Sequence, residues 1–322
     1  MRAFARFAWG VLAFDVVVAA WGAYVRASGS GAGCGRHWPT CNGEILPRSP
    51  RVETLIELSH RASSGAAVIL TAVLFVLARW RFPERHRVRR AASASLALMV
   101  VEALIGALLV LFELVAHDAS LKRALSMSLH LVNTFLLLAS TALAAWWASG
   151  GAAPRWRGQR AVLWTLGAPL GAMLVVGATG AVTALGDTLF PSKSLTSGIA
   201  QDFSSAAHLF VRLRAVHPAL AATTAVAVVF ACGVVRTIRP GRAVKLLSRT
   251  CAALAISQVA LGVFDVLARA PTIVQLAHLM LADGVWLALV LTGAAALAET
   301  GTASAPSVAA GEVMLGEVRE LR

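Results

Sequence analysis

Four histidines, His60, His130, His217 and His278, fall one each in the second, fourth, sixth and eighth long apolar stretches of the sequence. An ionisable side chain inside a bilayer is expensive to keep there, so it points to function before packing. Imidazole is also a ready ligand for transition metals, and two of them can approach one centre from opposite sides. A lone membrane histidine is as readily explained by a hydrogen bond to a neighbouring helix. Four at matched depth, in two pairs, read as two bis-histidine cofactor sites.

The elements that must carry these residues are long. Of the 322 residues 58% are hydrophobic and 14% charged, a composition foreign to soluble globular domains. Runs of about 20 apolar residues cross a hydrocarbon core of roughly 30 Å as helices. Such runs are expected at 8–26, 55–78, 91–114, 124–148, 161–185, 206–235, 250–268 and 272–298. The chain therefore reads as an all-α integral membrane protein with eight transmembrane helices. Arg2 and Arg6 ahead of the first run resemble a secretory leader, but that run exceeds the usual leader core of about 7–15 residues. It is read as a membrane helix. The segment 301–322 is polar and rich in small residues, and is expected to be a disordered cytoplasmic tail.

A formal net charge of +13 suggests nucleic acid until its distribution is examined. Arg79, Arg81, Arg85, Arg87, Arg89 and Arg90 crowd one loop; Arg155, Arg157 and Arg160 occupy a second; Arg236, Arg239, Arg242, Lys245 and Arg249 a third. These loops alternate along the chain, so the positive-inside rule places them in the cytoplasm with both termini. The cations are topology signals in a plasma membrane and contacts for anionic lipid, and no nucleic-acid partner is expected.

A shift of roughly 150–160 residues lays the second half of the chain on the first. Gly22-Ala23-Tyr24-Val25 falls on Gly180-Ala181-Val182-Thr183, and Glu102-x3-Gly106 on Gln258-x3-Gly262. His60 falls on His217, and His130 on His278. Each half holds an even number of spans, so the repeat is parallel, with its pseudo-twofold axis along the membrane normal. Two four-helix bundles follow, at 1–150 and 151–300, each building a site from inward side chains. The four histidines lie about 8–16 Å from the outer ends of their helices at 1.5 Å per residue. Paired imidazoles at that depth suit the two axial positions of haem iron. Zinc would want further ligands. His37 and His117 fall in outer loops, His86 in a basic loop, and His208 at the mouth of the sixth span.

The first outer loop is glycine-dense and carries Cys34 and Cys41, either a staple that orders the loop or a redox-active pair. Cys232 and Cys251 read as core residues. Glu57 stands three residues before His60 on one helix face. It is read as a site acid or base beside the first histidine pair, with a salt bridge to Arg61 as the structural alternative. The second half has Arg214 at the equivalent place. Arg26, Arg61, Arg212 and Arg214 lie near the outer boundary, placed either to hold haem propionates or to snorkel to headgroups. Pro218 is expected to kink the sixth span.

The loop Val25-Arg26-Ala-Ser-Gly-Ser-Gly-Ala-Gly-Cys34 with Trp38-Pro39-x-Cys41-Asn42-Gly43, followed by Glu57-x-x-His60-Arg61, resembles the first loop and second helix of haem A synthases. Thr179-Gly180-Ala181-Val182-Thr183 through Pro191, and Arg212-Leu-Arg214-Ala-Val-His217-Pro218, are similar to that family's fifth and sixth helices. The resemblance covers about residues 8–298. It implies an enzyme of terminal-oxidase assembly that oxidises a ring methyl of haem O to the formyl group of haem A. It further implies substrate haem between His60 and His130, haem b on His217 and His278, Glu57 as the essential carboxylate, and Cys34 with Cys41 as a disulfide. Cooperation with the farnesyltransferase that makes haem O is implied on the same ground, and a homo-oligomer is compatible with it. Some relatives carry a second cysteine pair after the fifth helix, where this chain reads Pro191-Ser-Lys-Ser-Leu-Thr-Ser-Gly and has none. The rival readings are a bis-histidine cytochrome b module for electron transfer, which does not need Glu57, and a haem carrier, for which broken helices near the midplane are expected.

Overall fold

The computed structural model describes residues 1–298, and the statements below concern those residues. The tail expected at 301–322 lies outside them. Among the described residues the chain is helical, without a strand: α1 (Arg2–Ala27), α2 (Val52–Arg81), α3 (Arg87–Leu111), α4 (Leu121–Ala148), α5 (Arg160–Leu189), α6 (Leu195–Asp202), α7 (Leu209–Arg214), α8 (Val216–Ile238), α9 (Arg242–Leu267) and α10 (Thr272–Ala298). Eight spans are long and apolar enough to cross a membrane, with α7 and α8 together making one of them. Each overlaps one expected stretch. Several run past it at charged ends, as α2 does through Arg79 and Arg81, because basic residues in a last turn suit the helix dipole.

Two features depart from the apolar pattern. The sixth span is interrupted at Ala215 rather than gently bent. Pro218 has no N–H to give the carbonyl four residues back, that of Arg214, and the helix is divided there. The short helix α6 has no strong hydrophobic signal. It starts because Ser194 and Ser197 cap each other reciprocally at its N-terminus.

Helix neighbours follow a ring: α1 packs on α2, α2 on α3, α3 on α4, and α4 back on α1. A second ring runs α5, α8, α9, α10 and back to α5. In each ring the two histidine-bearing helices, α2 and α4 or α8 and α10, stand on a diagonal. The rings meet where α4 touches α5 and α10, and where α1 touches α10. There Phe135 stacks on Trp286 with centroids 5.2 Å apart. The indole Nε1 of Trp286 donates to the Phe135 carbonyl at 2.6 Å. Arg26 reaches across the same seam, donating to the Ala184 carbonyl at 2.6 Å, Thr188 Oγ1 at 2.7 Å and Gln275 Oε1 at 3.1 Å.

Candidate haem sites

Helices on a diagonal pack mainly on their flanking helices, so the space between their histidines is set by those flanks. Both flanks carry glycine. A Cβ at Gly22 of α1 would stand 2.9 Å from His60 Cε1, and one at Gly180 of α5 would stand 3.1 Å from His217 Cε1. On the other flanks, a Cβ at Gly106 of α3 would meet His130 Nε2 at 3.7 Å, and one at Gly262 of α9 would meet His278 Cε1 at 3.0 Å. A glycine faces a histidine ring four times, at positions that the sequence shift lays on one another. His60, His217 and His278 are seated closely enough that a Cβ would crowd the ring, whereas His130 leaves ordinary contact distance at Gly106.

The ring nitrogens differ in what they have left to offer. His130 Nδ1 lies 3.0 Å from Glu102 Oε1. Thr134 Oγ1 also donates to Glu102 Oε1, and Asn133 Nδ2 donates to Oε2 at 2.5 Å. His217 Nδ1 is 3.2 Å from Thr179 Oγ1. Those two rings keep Nε2 for a ligand. On His278 it is Nε2 that meets the Gln258 amide, at 3.1 Å, while its Nδ1 is buried without a partner. His60 Nδ1 is also buried without a partner. These two orphaned nitrogens, one in each histidine pair, are what an absent ligand contact would leave. His60 and His130 are near enough for their charges to interact, as are His217 and His278. No group of three or more metal-ligating side chains gathers at one point among the described residues. Two imidazoles per site match haem iron.

Glu102 is the residue whose part was not read from the sequence. Its alignment with Gln258 was visible, and that match was the available signal. Both residues contact the histidine of the next span, Glu102 on His130 and Gln258 on His278. The expected carboxylate, Glu57, has another surrounding. Arg61 donates to its Oε1 through Nε at 3.1 Å and Nη2 at 2.5 Å, and the Cys34 N–H donates to its Oε2 at 2.8 Å. Arg61 Nη1 in turn donates to the carbonyls of His37 and Thr40, both at 2.6 Å. Glu57 and Arg61 therefore knot the first outer loop to α2. Gly33 lets that loop come close, since a Cβ there would fall 2.5 Å from the backbone of Glu53. Cys34 and Cys41 are both fully buried in the loop, their sulfurs at bonding distance.

Three of the four candidate propionate arginines have protein partners. Arg26 and Arg61 are bound as described. Arg214 donates to Asp202 Oδ1 through Nε and Nη2 at 2.9 and 2.7 Å, and to Asp187 Oδ1 at 3.1 Å. The ion pair has thus changed sign between halves, with the cation on α7 and the carboxylates outside it. Arg212 is exposed, and no hydrogen bond or ion pair of its side chain occurs among the described residues. His208 caps α7, its Nδ1 accepting from the Phe210 N–H at 3.3 Å, and stacks on Phe190. Cys232 and Cys251 are buried in the core against each other.

A polytopic helical membrane protein with two diagonal histidine pairs defines a narrow class. The chain belongs to the COX15-CtaA family, described as cytochrome oxidase assembly protein, which it matches over residues 5–290. It is 48% identical over 293 residues to a protoheme IX farnesyltransferase of Thermus thermophilus, a match covering 91% of this chain and 48% of that protein. The chain thus spans about half the length of that relative. It is also 45% identical over 93 residues to the heme A synthase of Bacillus mycoides, covering 29% of this chain and 30% of that one. A heme A synthase of Bacillus cereus matches at 44% over the same length.

Proposed function

We propose that this chain converts haem O to haem A. In this reading His60 and His130 hold the substrate haem, a ring methyl of which is oxidised to a formyl group, and His217 and His278 hold a resident haem b. The observation that carries it is that each of the four imidazoles lies against a glycine of a flanking helix, closely at Gly22, Gly180 and Gly262 and at ordinary contact distance at Gly106. The family and the names of the Bacillus relatives support a role in haem A biosynthesis. Bound haem b supplies one-electron chemistry.

The chain's own residues do the rest. Glu102 fixes the tautomer and direction of the His130 ring, so that Nε2 faces the substrate. Glu57 is the carboxylate that exchanges a proton as the methyl is oxidised. Arg61 and the Cys34 N–H hold it where the loop covers the outer end of α2. Arg212 is the arginine best placed to meet a propionate. The two rings of helices are two copies of one parallel repeat, with both termini on the cytoplasmic face of the plasma membrane. The Thermus relatives are named for farnesyl transfer to protoheme, which makes the enzyme that supplies haem O a natural pathway neighbour.

The test is to express the chain in cells supplied with haem O, extract the haems and separate them chromatographically. Haem A is the expected product. Haem b with unchanged haem O would instead support an electron-transfer module or a haem carrier.

A further inference from the structure

The first ring of helices carries polar side chains in its interior where the second is apolar at the matching positions. Asp15 of α1, Thr71 of α2, Ser95 of α3 and Thr141 of α4 are all buried. The sequence shifts that lay Gly22 on Gly180, His60 on His217, Glu102 on Gln258 and His130 on His278 lay these four on Met173, Val228, Cys251 and Leu289. Those four residues pack in one apolar cluster. The polar set therefore belongs to the half that holds His60 and His130.

Its members continue from the histidine pair toward the basic loops. Glu102, held by His130, Thr134 and Asn133, stands one turn in that direction from Gly106. Asp15 is seven residues in from Gly22, about 10 Å at 1.5 Å per residue. Thr71 and Thr141 are eleven residues in from His60 and His130, about 16 Å. Side chains lean toward the N-terminus of their own helix, so Asp15 on α1 leans toward the level of Thr71 and Thr141, and those two lean back toward it. Ser95 Oγ and Ser140 Oγ lie 3.0 Å apart, and Thr141 Oγ1 donates to Ser95 Oγ at 3.2 Å. Asp15 is near enough to Glu102 for their charges to interact, and no cation pairs with it among the described residues. Both of its carboxyl oxygens, and Thr71 Oγ1, are buried without a hydrogen-bond partner. Of the helices packed on α1, α2 brings His60 with the Glu57–Arg61 pair, α4 brings His130, α10 brings His278 and Asp283, and α5 brings no ionisable group between Arg160 and Asp187. An ionised carboxyl so placed is expensive. With a proton it is neutral and becomes a donor that neighbouring hydroxyls can accept.

We propose that Asp15 is a redox-linked proton site for the first histidine pair, an inference that rests on the reading of that pair as a haem site. Ferric haem between neutral imidazoles carries a net positive charge at its centre, which a carboxylate offsets; ferrous haem carries none. When a one-electron donor in solution reduces the ferric iron, Asp15 takes one proton from water and passes from carboxylate to carboxylic acid. Oxidation returns the electron and the proton together. For a unit charge at roughly 10–15 Å and an effective dielectric of about 20, the proton affinity of the acid changes about tenfold.

The test is reduced-minus-oxidised infrared difference spectroscopy of the purified full chain in lipid nanodiscs, before and after addition of haem O. With haem O loaded, reduction is expected to raise a carboxylic C=O band that shifts in D2O. Asp15→Asn, which keeps the size of the side chain, should abolish that band while haem uptake by absorbance stays normal. Asp15→Glu should restore a band at a shifted frequency, and Asp283→Asn should leave the wild-type band in place. The midpoint potential of the added haem should fall as pH rises, and less steeply in Asp15→Asn. A band that persists in Asp15→Asn, that never appears, or that is as strong before haem O is added overturns the proposal. If His130→Ala takes up haem O as wild type does, it is the reading of the first pair that fails.

Discussion

Glu102 Oε1 lies 3.0 Å from His130 Nδ1, so His130 can offer only Nε2 to a ligand. Its counterpart in the second half, Gln258, meets His278 with a neutral amide. A carboxylate on the far nitrogen makes an imidazole a stronger donor to iron and favours the oxidised metal. Glu102→Gln should therefore raise the midpoint potential of haem bound by the first pair, on the order of tens of millivolts. Gln258→Glu should lower that of the second. Redox titration of each variant reads both, and an unchanged potential in either would show that these contacts do not tune the sites.

The glycine seats predict steric loss of ligand at one site at a time. Gly180→Leu puts a branched side chain into the His217 ring and, on the proposed function, should prevent haem from binding in the second half, read as loss of absorbance in the purified protein. Gly22→Leu should leave that haem in place and prevent uptake of substrate haem. Gly10 has nothing within 4 Å of its would-be Cβ, so Gly10→Ala is the matching control and should bind normally.

Glu57→Ala removes a carboxylate and leaves Arg61 and the Cys34 N–H without their acceptor. A broken buried ion pair costs about 3 kcal/mol, so the variant should melt earlier. Glu57→Gln keeps an oxygen for one of these donors and should recover part of that stability. On the proposed function, both should retain haem at the second histidine pair and make no haem A. Product at the wild-type rate from Glu57→Gln would confine Glu57 to tying down the loop.

Cys34 and Cys41 are fully buried, and a redox partner needs access to sulfur. We expect the pair to order the loop. Removing so short a closed loop should cost roughly 2–3 kcal/mol, seen as faster tryptic cleavage at the exposed Arg36 in a Cys34→Ala, Cys41→Ala variant. Haem A output per folded protein should fall no more than severalfold. Complete loss of turnover with the loop still protected would make the thiols participants in electron transfer.

What the sequence determined by itself was the number of spans, their order, and the histidines they carry. Each rests on the water–lipid boundary, which acts on every residue separately: about 20 apolar residues are needed per crossing wherever the helix later packs. The shift that lays the two halves on one another was read from motifs, and it set Gly22 beside Gly180 and Glu102 beside Gln258 before any contact was known.

Tertiary structure alone decided which partner each polar group took. Glu57 and Arg61 are four residues apart on one helix face, but whether that carboxylate turns to the arginine, the loop or the histidine depends on where Cys34 and His37 are brought by the chain between helices. Arg214 reads as a free cation near a membrane surface, and it is bound because α6 delivers Asp202 and α5 delivers Asp187. Which helices are neighbours and which are diagonal is likewise a matter of packing. Lipid is as apolar as a leucine side chain, so hydrophobicity does not choose between neighbours within the membrane. Close approach at small residues and hydrogen bonds between helices make that choice.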